Sequence, residues 1–198
     1  MIRWICITGI LFGLLACASQ PSTDPDAKRW FSAGPAIDAP KELAHWSKLV
    51  GRWSTREEGL SPDGSEWSPS KGADWEFLWA FDGRGIQDNY TSPPLSEPVD
   101  DESQRQRGTN LRIYDAKNNQ WVMTWLTVQS TQAARFTAQS TDDEIVMLAE
   151  TLTPTGFHSR ITFFNIKPDS FDWKLEYSKD EQSWFEVYRI FGTRHPES

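Results

Sequence analysis

The stretch Ala73-Asp74-Trp75-Glu76-Phe77-Leu78-Trp79-Ala80-Phe81 repeats with a period of two residues. Aromatic side chains occupy each odd position from 75 to 81, and acidic residues occupy the first two even positions. Because successive side chains of a strand point to opposite faces, the pattern predicts a half-buried β-strand with one aromatic face. The tight-turn signal Asp82-Gly83-Arg84-Gly85 follows, and residues 86–90 are predicted to form the return strand.

Similar short segments extend this hairpin in both directions along the chain. Further strands are predicted over 52–58, 110–115, 120–128, 133–138, 144–151, 157–166, 171–178 and 184–191. Turn-forming Asn, Asp, Pro, Gly and Ser residues separate them, and the proline-containing segment 92–108 is predicted to be a long surface loop. About ten antiparallel strands in a meander close most easily into a barrel, since closure removes exposed sheet edges. A two-sheet sandwich is the alternative within the same all-β class.

One short helix is predicted before the first strand. Asp38 is a suitable N-cap and Pro40 fits the first turn, while Leu43 and Trp46 begin a row of apolar residues at helical spacing. Gly51 is expected to end the helix.

The helix leads into Gly51-Arg52-Trp53, which resembles the GxW opening of lipocalins and the wider calycin superfamily. The resemblance implies a calycin-like barrel in which Trp53 plugs one end and an arginine of the last strand, Arg189 or Arg194, covers it. The run 169–180 followed by Trp184 is similar to a family of uncharacterised bacterial lipocalin-like domains. The likeness extends over about 43–194 and implies a fold rather than an activity.

The first residues of the chain resemble a bacterial lipoprotein signal. Arg3 is followed by thirteen uncharged residues, and Leu14-Leu15-Ala16-Cys17 matches the lipobox. The stretch is shorter than the roughly 20 apolar residues of a spanning helix and ends in a small-residue cleavage pattern. The resemblance implies a signal peptide over 1–16, acylation of Cys17 and attachment to a lipid bilayer. Residues 17–40 would then be a lipidated tether rich in proline, and 41–198 the barrel domain.

Charge and cysteine content restrict the partners. The formal net charge is −8, or −9 once Arg3 leaves with the signal, so nucleic acid is not an expected partner. Cys6 lies inside the signal, and the exported domain therefore has no intramolecular disulfide. Ala18 and Ser19 follow the lipobox cysteine where Asp would favour retention in the inner membrane. The resemblance thus favours the outer membrane of a Gram-negative bacterium, facing the periplasm.

Two kinds of residue are candidates for a binding site. Aromatic side chains on predicted strands would line a cavity for a hydrophobic ligand or simply fill the core; these are Trp75, Trp79, Trp125 and Trp173. Arg160 and Arg189 interrupt partly apolar faces and would pair the carboxylate or phosphate of a ligand. The alternatives for these arginines are an internal partner such as Glu186 or Glu150, a position over Trp53, or exposure to solvent.

No catalytic or metal-binding pattern is found in the sequence, and no cofactor is predicted. The chain has His45, His158 and His195, without metal-ligand spacing. Some calycin relatives bind haem through a histidine; this chain lacks their glycine-rich first strand, and by that resemblance the ligand would be His158. We expect a lipid-anchored envelope protein that binds or carries a small hydrophobic or amphipathic molecule. The alternative is a non-enzymatic interaction module with a filled barrel, which an exposed patch around Trp30 and Phe31 would favour.

Overall fold

The computed structural model describes residues 31–196, and this part of the chain is nearly all β-structure. Its one α-helix, α1, spans Leu43–Ser47, and one 3-10 turn spans Glu102–Gln104. The strands are β1 (Phe31–Ser32), β2 (Gly51–Leu60), β3 (Trp67–Pro69), β4 (Asp74–Ala80), β5 (Gly85–Ser92), β6 (Gln106–Asp115), β7 (Gln120–Thr127), β8 (Ser130–Ser140), β9 (Ile145–Ala149), β10 (His158–Phe164), β11 (Ser170–Ser178) and β12 (Phe185–Arg194). The predicted all-β class with a short helix is confirmed.

Ten strands, β2 and β4 to β12, form a closed antiparallel barrel. Each strand from β4 to β12 pairs with the next, and the ring closes because β2 pairs with both β12 and β4. β1 adds to β4, and β3 adds to β2. The predicted ten-strand barrel is therefore confirmed over the sandwich. β1 and β3 were not predicted, because strands of two and three residues show no period.

The loop predicted over 92–108 is shorter in the structure. β5 continues to Ser92 and β6 begins at Gln106, so the connection covers 93–105. Arg105 fixes this loop: its side chain is almost completely buried and donates hydrogen bonds to the carbonyl oxygens of Pro93 and Pro94, both at 2.5 Å, and of Glu97 at 2.9 Å. Internal hydrogen bonds of this kind replace the water that a surface loop would otherwise bind.

The helix begins later than predicted and closes one end of the barrel. Asp38 does not cap it, because its carboxylate accepts a hydrogen bond from Arg84 at 2.7 Å. Instead Glu42 precedes the first turn without a side-chain cap. Trp46 on α1 is fully buried and packs edge-on against Trp121 and Phe163, with ring centroids 5.9 and 5.5 Å apart. This helix therefore seals what we call the closed end.

The N-terminal predictions fall largely outside the described residues. The signal over 1–16, Cys17 and Trp30 lie outside them, as does the side chain of Phe31. Of the segment predicted as a tether, residues 31–40 are described and lie against the barrel. β1 pairs with β4, and the backbone N–H of Ala36 donates to the carbonyl of Gly83 at 3.1 Å.

Candidate functional site

The half of the barrel away from α1 encloses a cavity of about 570 Å³. Its wall is mostly aromatic and aliphatic, with a few polar side chains, which is the usual composition of a small-molecule site. Arg135 and Leu152, whose side chains are exposed, form part of the rim, so the cavity reaches solvent at this open end. The lining includes Trp75, Tyr90, Asn110, Arg112, Trp125, Ala134, Arg135, Ala149, Leu152, Trp173 and Tyr188.

Small residues leave the space for this cavity. Ala134 lies directly across β7 and β8 from Trp125, and Ala149 lies on the inner face of β9. Gly108 on β6 lies diagonally across from Trp125 on β7, and a Cβ atom built there would lie 2.2 Å from the ring. The absence of a side chain at Gly108 thus leaves the room that the indole of Trp125 occupies.

A buried ion pair lies in the wall of the cavity. Arg112 on β6 donates from Nη2 to Asp88 on β5, and both side chains are completely buried. The guanidinium also lies over the ring of Trp46, 4.4 Å from its centroid, so the pair separates the cavity from α1. Desolvation raises the pKa of Asp88 above its ordinary value, and the attraction of Arg112 limits that rise.

Polar atoms around this pair have no protein partner. Nε and Nη1 of Arg112 and Oδ1 of Asn110 are buried without a hydrogen bond, and both residues line the cavity. Leaving a buried donor or acceptor unpaired costs about 1–3 kcal/mol. The lining therefore offers three donor nitrogens without partners, Nε and Nη1 of Arg112 and Nε1 of Trp75, and one such acceptor, Oδ1 of Asn110.

A second polar cluster surrounds Glu57 on β2. This carboxylate is completely buried and accepts hydrogen bonds from Thr55 Oγ1 at 2.6 Å, from Tyr90 Oη at 2.9 Å and from Tyr188 Oη at 2.8 Å. Burial raises the pKa of Tyr188 to about 12, and it raises the pKa of Tyr90 as well, with the Glu57 charge adding to the effect on Tyr90. Both tyrosines line the cavity, and both donate their hydroxyl hydrogens to Glu57.

Three of the four predicted tryptophans line the cavity. Trp75, Trp125 and Trp173 do so, whereas Trp79 is buried in the core outside it. Trp53 is fully buried at the closed end, where its indole N–H donates to the carbonyl of Leu49 at 2.7 Å. Arg194, and not Arg189, lies over this ring, 4.0 Å from its centroid.

Arg160 and Arg189 are not among the residues that line the cavity. Arg160 forms a two-point ion pair with Glu176, at 2.9 and 3.0 Å, and lies over Trp184. Arg189 donates to Glu186 at 2.6 Å and lies over Trp67. Their strand neighbours Ile161 and Ile190 face inward, so alternation places both arginines on the outer surface.

Sequence reasoning missed Arg112, Asp88, Asn110 and Glu57. On β6, Asn110 and Arg112 are buried while Ile113 between Arg112 and Tyr114 is exposed, which reverses the usual apolar-inside pattern. The sequence of β6 does show alternation, which separates the side chains into two faces. Alternation alone does not show which of the two faces points into the barrel. The three histidines do not line the cavity, and the described residues include no cluster of His, Cys, Asp or Glu suited to a metal ion.

Comparison with known proteins supports the fold. The structure resembles that of Rv2717c from M. tuberculosis, with a TM-score of 0.50 and 16% identity over 80% of this chain and 100% of that one. It also resembles the S-type phycobiliprotein lyase CPES from Guillardia theta, with a TM-score of 0.49 and 8% identity over 79% and 94% of the two chains. At 16% identity, the likeness to Rv2717c is one of fold alone, and the predicted calycin-like barrel is confirmed by the strand pairing described above.

Sequence comparison adds no family. No protein-family model matches the chain, and no curated protein matches it. Within residues 31–196, no helix is long and apolar enough to cross a membrane.

Proposed function

We propose that this protein is a lipid-anchored envelope protein that binds a small hydrophobic or amphipathic molecule inside its barrel. The observation that carries the proposal is the cavity of about 570 Å³, which combines an apolar wall with buried polar atoms that lack partners. A ligand that fills it would bury apolar surface and satisfy those atoms at the same time. A barrel that serves only as a filled interaction module has no need of either feature.

The test is to close the cavity without changing the outside of the barrel. Ala149→Trp places an indole in the cavity, while Leu148→Trp adds the same side chain at a neighbouring position that is 41% exposed. We expect C12 lipids and isoprenoids to change the tryptophan emission of the wild type saturably. Calorimetry should show that Ala149→Trp abolishes this binding and that Leu148→Trp retains it. Binding that survives in Ala149→Trp would place the ligand elsewhere, and a panel without any binder would refute the proposal.

Attachment to the membrane is proposed from the sequence. Cys17 follows Leu14-Leu15-Ala16, and only a thiol forms the thioether of a lipoprotein. Two or more acyl chains provide far stronger attachment than the marginal binding of one. Cys17→Ser should therefore leave an unprocessed precursor that incorporates no labelled fatty acid, whereas Cys6→Ser should be processed and labelled normally. Normal labelling of Cys17→Ser would rule out this anchor.

A further inference from the structure

The charges in the wall of the cavity and directly behind its tyrosines are already balanced or negative. Arg112 is neutralised by Asp88, with both side chains at 0% exposure. Glu57 is completely buried and appears in no ion pair among the described residues; three hydroxyl groups hold it instead. At the rim, Arg135 is paired with Glu150 at 3.4 Å. No described side chain in the lining is therefore a cation without a carboxylate partner.

An anionic ligand would be poorly accommodated beside these groups. A carboxylate or phosphate on Arg112 would share one guanidinium with Asp88 and leave a net negative charge in a desolvated site. Buried charge without compensation is costly, and like charges at short range add to that cost. An ammonium carries only donors, so it would place a second cation beside Arg112 and leave the unpartnered donors of that guanidinium unsatisfied.

A neutral polar group fits the same atoms without these costs. A carbonyl oxygen can accept from Nε or from Nη1 of Arg112, and an N–H or O–H group can donate to Oδ1 of Asn110. Tyr90 and Tyr188 donate their hydrogens to Glu57, so their oxygens offer only acceptor positions to the cavity. The lining thus presents donors at Arg112 and acceptors at Asn110 and the two tyrosines.

We propose that the cavity selects uncharged amphiphiles, with a polar head that both accepts and donates hydrogen bonds, over fatty acids, phosphates and amines of the same chain length. This inference rests on the proposed function and specifies the chemical class of its ligand. It replaces the expectation that Arg160 or Arg189 would pair an acidic head group, since those arginines are paired on the outer surface.

Three probes with one tail separate the possibilities. Dodecanamide, dodecanoate and dodecylammonium share a C12 tail and differ in head-group charge. We expect the purified protein to bind the amide at neutral pH about tenfold or more tightly than either ion, the effect of one favourable hydrogen bond of about 1.4 kcal/mol. Dodecanoate or dodecylammonium binding as tightly as the amide would overturn the inference and leave the proposed function standing. Binding of none of these probes, or of the wider lipid panel, would overturn the proposed function itself.

Substitutions assign the selectivity to the buried groups. Arg112→Met should weaken amide binding about tenfold, while Arg189→Met, on the outer surface, should leave it unchanged. Asp88→Asn leaves the charge of Arg112 without a carboxylate partner and should shift the binding preference from the amide toward dodecanoate.

Where Asp88→Asn does not fold, Glu57→Gln provides the second measurement, because it removes a negative charge without leaving a cation unpaired. It should narrow the preference for amide over dodecanoate, and an unchanged or wider preference would contradict the assignment.

Discussion

At the closed end, Trp46, Trp53 and Phe171 are at most 1% exposed, whereas Trp125 and Trp173 in the open half remain partly exposed to a cavity of about 570 Å³. The two halves are similarly rich in aromatic residues. Small residues lie opposite rings in both halves, Ala138 across from Trp121 and Ala134 across from Trp125, so the halves differ in the helix that covers one end. Aromatic content therefore predicts an apolar interior, and Trp46 of this helix fills the closed end while the open half keeps its cavity.

The two halves also differ in how many of their buried polar atoms have hydrogen-bond partners. At the closed end, the indole N–H of Trp53 donates to Leu49, and Arg194 covers its ring while donating to the carbonyl of Val50 at 2.6 Å. One buried indole N–H at the closed end, that of Trp46, has no partner, whereas the cavity residues Arg112, Asn110 and Trp75 together have four such atoms. The closed end thus has the features of a stability element, and the open half has those of a site that a ligand completes.

The largest difference is expected when one tryptophan is removed from each half. Trp53→Ala should lower the free energy of unfolding by about 3–5 kcal/mol, because a fully packed indole, its hydrogen bond and its cation–π contact are lost together. Trp125→Ala should cost about half of that or less, since one face of this ring already borders empty space. Urea unfolding without ligand measures both. Equal losses would show that the open half is as tightly packed as the closed end.

Two glycines under aromatic rings provide a smaller and more closely matched test. A Cβ atom at Gly192 would lie 2.3 Å from Phe171, and one at Gly108 would lie 2.2 Å from Trp125. Phe171 is enclosed by Trp53, Trp75 and Phe163, so Gly192→Ala should cost about 1–3 kcal/mol from overpacking.

Gly108→Ala should cost less than Gly192→Ala, because the indole of Trp125 can move into the cavity. Its main effect should be on binding, which we expect to weaken as Trp125 occupies part of the ligand space. Urea unfolding and amide titration measure the two effects. A greater loss of stability in Gly108→Ala than in Gly192→Ala would reverse the assignment of the halves.

The fold was predictable because its signals are local. Alternation over 73–81 and the turn residues between strands specify each hairpin, and closure follows from avoiding free edges. The polar part of the site was not predictable in this way. Arg112 meets Asp88 only through the β5–β6 register, and Glu57 meets Tyr188 only because β12 closes against β2.

The choice of arginine shows why the rest could not be read from the sequence. Arg160 and Arg189 were selected because each interrupts a row containing apolar residues, and those rows prove to be outer faces. Arg112 lies on the face of β6 opposite to Leu111 and Ile113, whose apolar side chains suggest the wrong face as the inner one. The inner face of a strand can be assigned only from its burial and its register with the neighbouring strands. The register shift between Leu175 and Glu176, for example, changes the pairing of β11 with β12 and does not show in the residue pattern of either strand.

The smallest expected effect concerns alkaline pH and the open half. An unfolded tyrosine titrates near 10.0, whereas the pKa of Tyr188 in the fold is about 12. Because the folded state holds the Tyr188 proton more tightly, the stabilisation from this tyrosine is complete below pH 10 and is lost as pH rises toward about 12.

Tyr188→Phe should lower the free energy of unfolding by about 1 kcal/mol at neutral pH, since Glu57 loses one donor, and should reduce the alkaline loss of stability. Tyr177→Phe, whose hydroxyl does not bind Glu57, is the control and should keep the wild-type pH profile. Denaturant unfolding across this pH range, followed together with tyrosinate absorbance, measures the effect; an unchanged alkaline slope in Tyr188→Phe would show that Tyr188 does not contribute to the alkaline loss of stability.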